Sequence, residues 1–153
     1  NNVHTDPTFQ GEYRTFLLKK VQNDPGYLNS TGSVLEKITD ISARLRNGFI
    51  DKDTSITDIK SIFQAKPISL EEKIIWTGTL RELKRFGREL VNSKICIELK
   101  KSDHLLIACE IFNKKHGNSG IAKKIEVSQL NSPSGDEKRF KEIDDIVRII
   151  TLL

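Results

Sequence analysis

Apolar residues recur along this chain at helical spacing, and turn residues close each run. Phe9, Tyr13, Phe16, Leu17 and Val21 form the first stripe. Asp6-Pro7 opens it, a cap followed by proline at the first helical position, and Asp24-Pro25-Gly26 closes it. Ser33-Val34-Leu35-Glu36 has the spacing of a capping box and introduces a second stripe, Leu35, Ile38, Ile41 and Leu45, which Asn47-Gly48 ends. Ser55 opens a third helix with Ile56, Ile59, Ile62 and Phe63 on one face, ending before Pro67. These three helices predict an N-terminal subdomain over residues 1–66.

The second subdomain, 67–153, begins differently. Ile74-Ile75-Trp76 reads as an extended run. Thr79-Leu80-Arg81-Glu82 is another capping box, and Leu80, Leu83, Phe86, Leu90 and Val91 predict the buried face of a helix over 79–92. Ile95-Cys96-Ile97-Glu98-Leu99 is β-branched and could form a short strand. Ser102-Asp103 then caps a helix over 103–113, carrying Leu105, Leu106, Cys109, Ile111 and Phe112. After a turn at 116–120, Ile121, Ile125 and Leu130 predict a helix over 120–130. Ser132-Pro133-Ser134-Gly135 breaks the chain, and Asp136 starts a last helix with Phe140, Ile143, Ile146, Val147 and Ile150 inside. The predicted fold is mainly α: two small helical subdomains, the second helix-turn-helix or winged-helix-like with at most a short β element.

Composition narrows the function classes. The 153 residues are 37% apolar and 30% charged, which fits a globular chain with a real core. No run of about 18 apolar residues occurs, so no transmembrane helix is expected. Cys96 and Cys109 are too few for a disulfide framework and sit among apolar neighbours, as reduced core residues of a cytoplasmic protein would. His4, His104 and His116 are scattered, with no cysteine or carboxylate at metal-ligand spacing. No phosphate-cradling glycine loop and no nucleophile motif is present. Asp144-Asp145 and Glu71-Glu72 point to different helix faces and make no catalytic pair. Neither an enzyme nor a bound metal or cofactor is expected.

Charge is unevenly placed. Residues 77–124 hold 11 lysines and arginines against five acids, a net +6; the rest hold 14 against 16. A basic middle on a slightly acidic frame points to a polyanionic partner. Arg81, Lys84, Arg85 and Arg88 fall at i, i+3, i+4 and i+7 on one side of helix 79–92, where each could neutralise a phosphate. The alternative is a solvated face partly paired through Glu82 and Glu89. Lys114 and Lys115 end a helix, where they complement its dipole. Lys123 and Lys124 fall in the first turn of helix 120–130, where they oppose it, so that turn points to an anion at the helix N-terminus. Asn118 and Ser119 can donate to phosphate or base edges, or simply cap that helix. Trp76, beside two isoleucines, reads as a core anchor whose indole N–H finds a carbonyl.

The order helix 79–92, helix 103–113, turn, helix 120–130 has the shape of a helix-turn-helix unit, with Gly117 or Gly120 in the turn. The run Lys73–Val91, with W-T-G-T at 76–79 and E-L at 82–83, resembles the C-terminal part of the RteC family, regulators carried on conjugative transposons of anaerobic gut bacteria. Ala108–Asn113 is similar to that family's second helix, and Arg139–Ile143 to the start of its closing helix. The resemblance spans roughly residues 70–150. It implies an all-helical N-terminal domain, a winged-helix-like C-terminal domain, and control of transcription in mobile-element transfer or excision. One departure stands out: residues 127–135, which match a densely basic stretch of the family, contain no lysine or arginine.

The expected function is therefore a non-catalytic DNA-binding transcriptional regulator. Its contact set is Arg81, Lys84, Arg85, Arg88, Lys114, Lys115, Asn118, Ser119, Lys123 and Lys124. The alternative is a helical protein–protein interaction module without DNA binding, working on a protein partner or as a homodimer. No membrane is expected in either case.

Overall fold

The computed structural model describes residues 15–64, 73–94, 96, 103–115 and 120–153. Within them the chain is mainly helical, with one small three-stranded sheet. The helices are α1 (Lys19–Asn23), α2 (Ser33–Arg46), α3 (Ile56–Ser61), α4 (Leu80–Asn92), α5 (Asp103–Ile111), α6 (Val127–Asn131) and α7 (Phe140–Thr151). The strands are β1 (Ile74–Trp76), β2 (Phe112–Lys115) and β3 (Ala122–Lys124).

The first stripe is not one continuous helix over its described part. Phe16, Leu17 and Leu18 are all buried, which three consecutive helical residues at a surface cannot be. They run extended instead. The Phe16 N–H donates to the Ile62 carbonyl at 2.8 Å, Leu17 bridges to Gln64 and Leu18 to Cys96. Helix α1 starts only at Lys19; the predicted start at Asp6-Pro7 lies outside the described residues, as does the 66/67 boundary. Helix α2 is present, but Gly32, at φ +73°, is its N-cap, and the Ser33 side chain makes no capping bond. Its buried face is Val34, Ile38, Ile41 and Leu45, while Leu35 stands 45% exposed. Asn47 closes α2 and Gly48 follows at φ +97°, the left-handed position that glycine takes without strain. Ser55 caps α3 as expected, accepting from the Asp58 N–H at 3.1 Å.

The second half departs most after α5. Of the predicted strand over 95–99, all but Cys96 lies outside the described residues. Helix α5 stops at Ile111, and Phe112 opens a strand. Strand β2 lies parallel to β1, with Ile74 opposite Phe112 and Trp76 opposite Lys114, so α4 and α5 form the crossover between them. Strand β3 then pairs antiparallel with β2. The predicted helix over 120–130 is thus a strand at 122–124 followed by the short α6. Gly120, at φ +74°, sits just before the strand, and the Gln129 side chain accepts the Glu126 N–H at 2.7 Å, starting the helix at Val127. The last helix starts at Phe140 rather than Asp136. Arg139 precedes it and reaches back to the Asn47 and Gly48 carbonyls at the end of α2.

One apolar cluster joins these elements. Ile38, Ile41 and Leu45 of α2, Leu83, Phe86 and Leu90 of α4, and Ile143, Ile146 and Ile150 of α7 all belong to it. Helix α4 packs on α5, α6 and α7, and α2 packs on α3 and α7. Trp76 is fully buried at its centre, with ring centroids 5.2 Å from Phe112, 5.9 Å from Phe49 and 6.0 Å from Phe86.

Candidate nucleic-acid interface

The W-T-G-T motif builds a corner. Strand β1 ends at Trp76, and the Trp76 indole N–H donates to the Thr79 carbonyl at 2.9 Å. Thr79 caps α4: its hydroxyl accepts the Glu82 N–H at 3.1 Å, and the Glu82 carboxylate accepts the Thr79 N–H at 2.8 Å. Glu82 is thereby buried with its carboxylate engaged. Gly78 is small because it must be. A Cβ there would lie 2.8 Å from the Glu82 carboxylate, 3.1 Å from the Trp76 indole nitrogen and 3.2 Å from the Phe49 ring. The motif thus fixes where α4 begins, and Trp76 is a core anchor.

The basic side of α4 is divided. Arg85 is held by Asp144 of α7, Nε to Oδ1 at 3.0 Å and Nη2 to Oδ2 at 2.8 Å, and it lies over the Phe140 ring at 5.0 Å. The hydrogen bond from Arg85 to Asp144 raises the pKa of Arg85 above the usual guanidinium value. Arg81 pairs with Glu137 at 3.6 Å. Both partners lie beyond residue 135, not on α4 itself where Glu82 and Glu89 stood as candidates; nothing in local spacing announces them. Lys84 and Arg88 form no ion pair among the described residues.

The remaining lysines gather on the hairpin of β2 and β3. The register sets Lys114 directly opposite Lys123, Lys115 opposite Ala122, and Asn113 opposite Lys124. Lys114 is half-buried and its ammonium donates to the Gly78 carbonyl at the corner; burial lowers its pKa, and Glu82 opposes that shift. Lys115, Lys123 and Lys124 are exposed and form no ion pair among the described residues. Lys123 and Lys124 therefore do not occupy a helix N-terminus, and no helix dipole there calls for an anion. Asn118 and Ser119 lie outside the described residues.

Other chemistry is sparse. Cys96 and Cys109 are free and buried; burial pushes the Cys96 thiol up and that of Cys109 up to about 11. No cluster of three His, Cys, Asp or Glu side chains able to hold a metal occurs among the described residues. No helix among them is long and apolar enough to cross a membrane. Comparison of the chain with protein-family models, curated protein sequences and solved structures gives no match.

Proposed function

We propose that the chain is a non-catalytic, DNA-binding regulator whose basic β2–β3 hairpin grips the phosphate backbone. The observation that carries this reading is the hairpin register, which brings Lys114-Lys115 and Lys123-Lys124 onto adjacent strands and sets Lys114 directly opposite Lys123. Like charges directly opposite one another on a sheet are destabilising. A polyanion would relieve that repulsion, and each neutralised phosphate would release counterions. A two-stranded ribbon is also narrow enough for a DNA groove. The chain order strand, two helices, hairpin is the one a winged-helix unit would take, in keeping with the RteC resemblance, although β1 here lies parallel to β2 where such a unit has an antiparallel sheet. That resemblance supplies the finer part of the proposal: cytoplasmic control of transcription on a mobile element.

Two observations favour a second reading, a protein-interaction module. Helix α5, which precedes the hairpin, carries no lysine or arginine and leaves Leu106 55% exposed. Residues 127–135 carry no basic side chain either. A fluorescence-anisotropy titration with random-sequence duplex DNA at two salt concentrations separates the two. The DNA reading expects affinity to fall steeply with salt. It also expects the combined Lys115→Gln, Lys123→Gln and Lys124→Gln variant to flatten the log–log slope by about 0.9 for each phosphate that is no longer neutralised. No binding by the parent protein at low salt would hand the case to the interaction module.

A further inference from the structure

Three surface depressions adjoin one another around the W-T-G-T corner. The first, of about 330 Å³, lies between the hairpin and the start of α4, with Lys114, Lys124 and Thr79 in its walls. The second, of about 360 Å³, shares Thr79 and Lys114 with the first and adds Lys138 and Arg139. The third, of about 370 Å³, shares Gly48 and Thr77 with the second and adds Lys115, Lys52 and Arg46. Their shared walls make them one groove, which passes the carboxyl ends of the parallel strands β1 and β2. Ligands of open α/β sheets lie in the equivalent place.

The groove is strongly basic. Seven lysines and arginines line it, against Glu82, Asp51 and Asp136. Three of the cations are committed to the protein. Lys114 holds the Gly78 carbonyl, Arg46 the Thr54 carbonyl at 2.9 Å, and Arg139 the Glu142 carboxylate at 2.8 Å with its guanidinium over the Phe49 ring. Among the acids, Glu82 is consumed by the corner and Asp51 accepts the Asp53 N–H at 3.1 Å. That leaves four exposed lysines along the groove: Lys124, Lys138, Lys115 and Lys52. Of these, only Lys138 pairs with an acid among the described residues, Asp136 at a loose 3.9 Å. Lys52 and Lys138 belong to neither the hairpin nor the basic face of α4.

We propose that this groove is the track of one strand of duplex DNA, its phosphates passing from Lys124 past Lys138 to Lys115 and Lys52. The inference rests on the DNA-binding reading and extends it from the hairpin to three separate chain segments. The aromatic side chains beside the corner, Trp76 and Phe49, are buried and offer no face for base stacking. The track is therefore a backbone track, not a single-strand stacking platform.

The test uses a Lys52→Gln, Lys138→Gln double variant of the full chain, with a Lys19→Gln, Lys37→Gln variant as the charge-matched control. None of the four lysines is buried, so melting curves should superimpose. With random duplex DNA, the groove variant is expected to flatten the salt slope by about 1.8, two phosphates at about 0.9 each, while the control keeps the parent slope. Equal slopes for groove variant and control overturn the track. If the hairpin variant is at the same time impaired, the DNA-binding reading survives and only its extension fails. If the parent binds no duplex at all, both fall. Tighter binding to a single-stranded oligonucleotide of the same length overturns the assignment to a duplex backbone.

Discussion

Arg85 and Asp144 meet in a two-pronged ion pair that ties α4 to α7, with both hydrogen bonds at 3.0 Å or less. The side chains are 27% and 41% exposed, so solvent weakens the pair without dissolving it. A bidentate guanidinium–carboxylate pair is nonetheless among the stronger surface interactions. Asp144→Asn should cost about 0.5–1 kcal/mol. Arg85→Gln also removes the cation from the Phe140 ring, and should cost about 1–2 kcal/mol. At roughly 2–4 °C per kcal/mol for a chain of this size, thermal melts resolve both. Arg85→Gln should leave the salt slope of DNA binding at the parent value. An unchanged melting temperature with a flattened slope would return Arg85 to the interface.

Gly135 and Gly120 make a controlled pair for the corner. Both have positive φ, +106° and +74°, so alanine strains the backbone at each. At Gly120 nothing lies within 4 Å of a new Cβ; at Gly135 the Thr79 Cβ would be only 2.3 Å away. Gly120→Ala should cost about 1–2 kcal/mol from the left-handed backbone alone. Gly135→Ala should cost clearly more, because Thr79 must shift and Thr79 caps α4. Chemical denaturation of the two variants checks the order. Equal destabilisation would mean that the segment before α7 gives way freely.

What the sequence revealed depended on how local the cause was. The Thr79–Glu82 capping box, the Ser55 cap, the Asn47-Gly48 stop and the buried Trp76 each depend on residues a few positions apart, and the pattern carries them. The extended run Phe16–Leu18 depends on Ile62, Gln64 and Cys96, far along the chain. Its apolar residues also match helical spacing, so periodicity alone misassigns it. The hairpin failed for the same reason. Ile121, Ile125 and Leu130 fit one face of a helix, yet Lys123 is set by pairing with Lys114. At the candidate site, the lysine pairs were legible as charge. The acids that pair with Arg81 and Arg85 were not, because Glu137 and Asp144 reach α4 only through tertiary packing. Lys52 and Lys138 carried no pattern at all; only the fold brings them beside the corner.

The buried thiols set an alkaline limit. Cys109 is held protonated in the fold, its pKa raised from 9.0 to about 11 by burial, and Cys96 is raised as well. Between those values the folded state binds more protons than the unfolded one. The thiol's contribution to stability is therefore complete below pH 9 and disappears as pH rises toward 11. Denaturant midpoints measured from pH 8 to 11 should fall less steeply for Cys109→Ala than for the parent, though alanine lowers the whole curve by leaving a gap. Iodoacetamide at pH 8 should label neither cysteine in the native protein and both in urea. Rapid native labelling at Cys109 would contradict its burial.

Lys123 lets the stability and binding roles of the hairpin be pulled apart. It faces Lys114 directly across the β2–β3 ladder, so one lysine repels another there. Glutamate at this position would replace a like-charge pair with an opposite-charge pair, a change of about 0.2–1 kcal/mol in favour of the fold. The gain should fall at the low end, because the Lys114 ammonium is already engaged by the Gly78 carbonyl. Binding should move the other way. Lys123→Gln leaves one phosphate without its cation and flattens the salt slope by about 0.9; Lys123→Glu adds repulsion to the same backbone and should weaken affinity further. The expected order of affinity is parent, then Lys123→Gln, then Lys123→Glu, with melting temperatures equal or rising in the same order. A Lys123→Glu protein that is no less stable yet binds duplex DNA like the parent would remove Lys123 from the DNA-facing surface, and would leave Lys124, on the other face of β3, as that strand's contact. Weaker binding together with a falling melting temperature would instead mean that the lysine supports the hairpin itself.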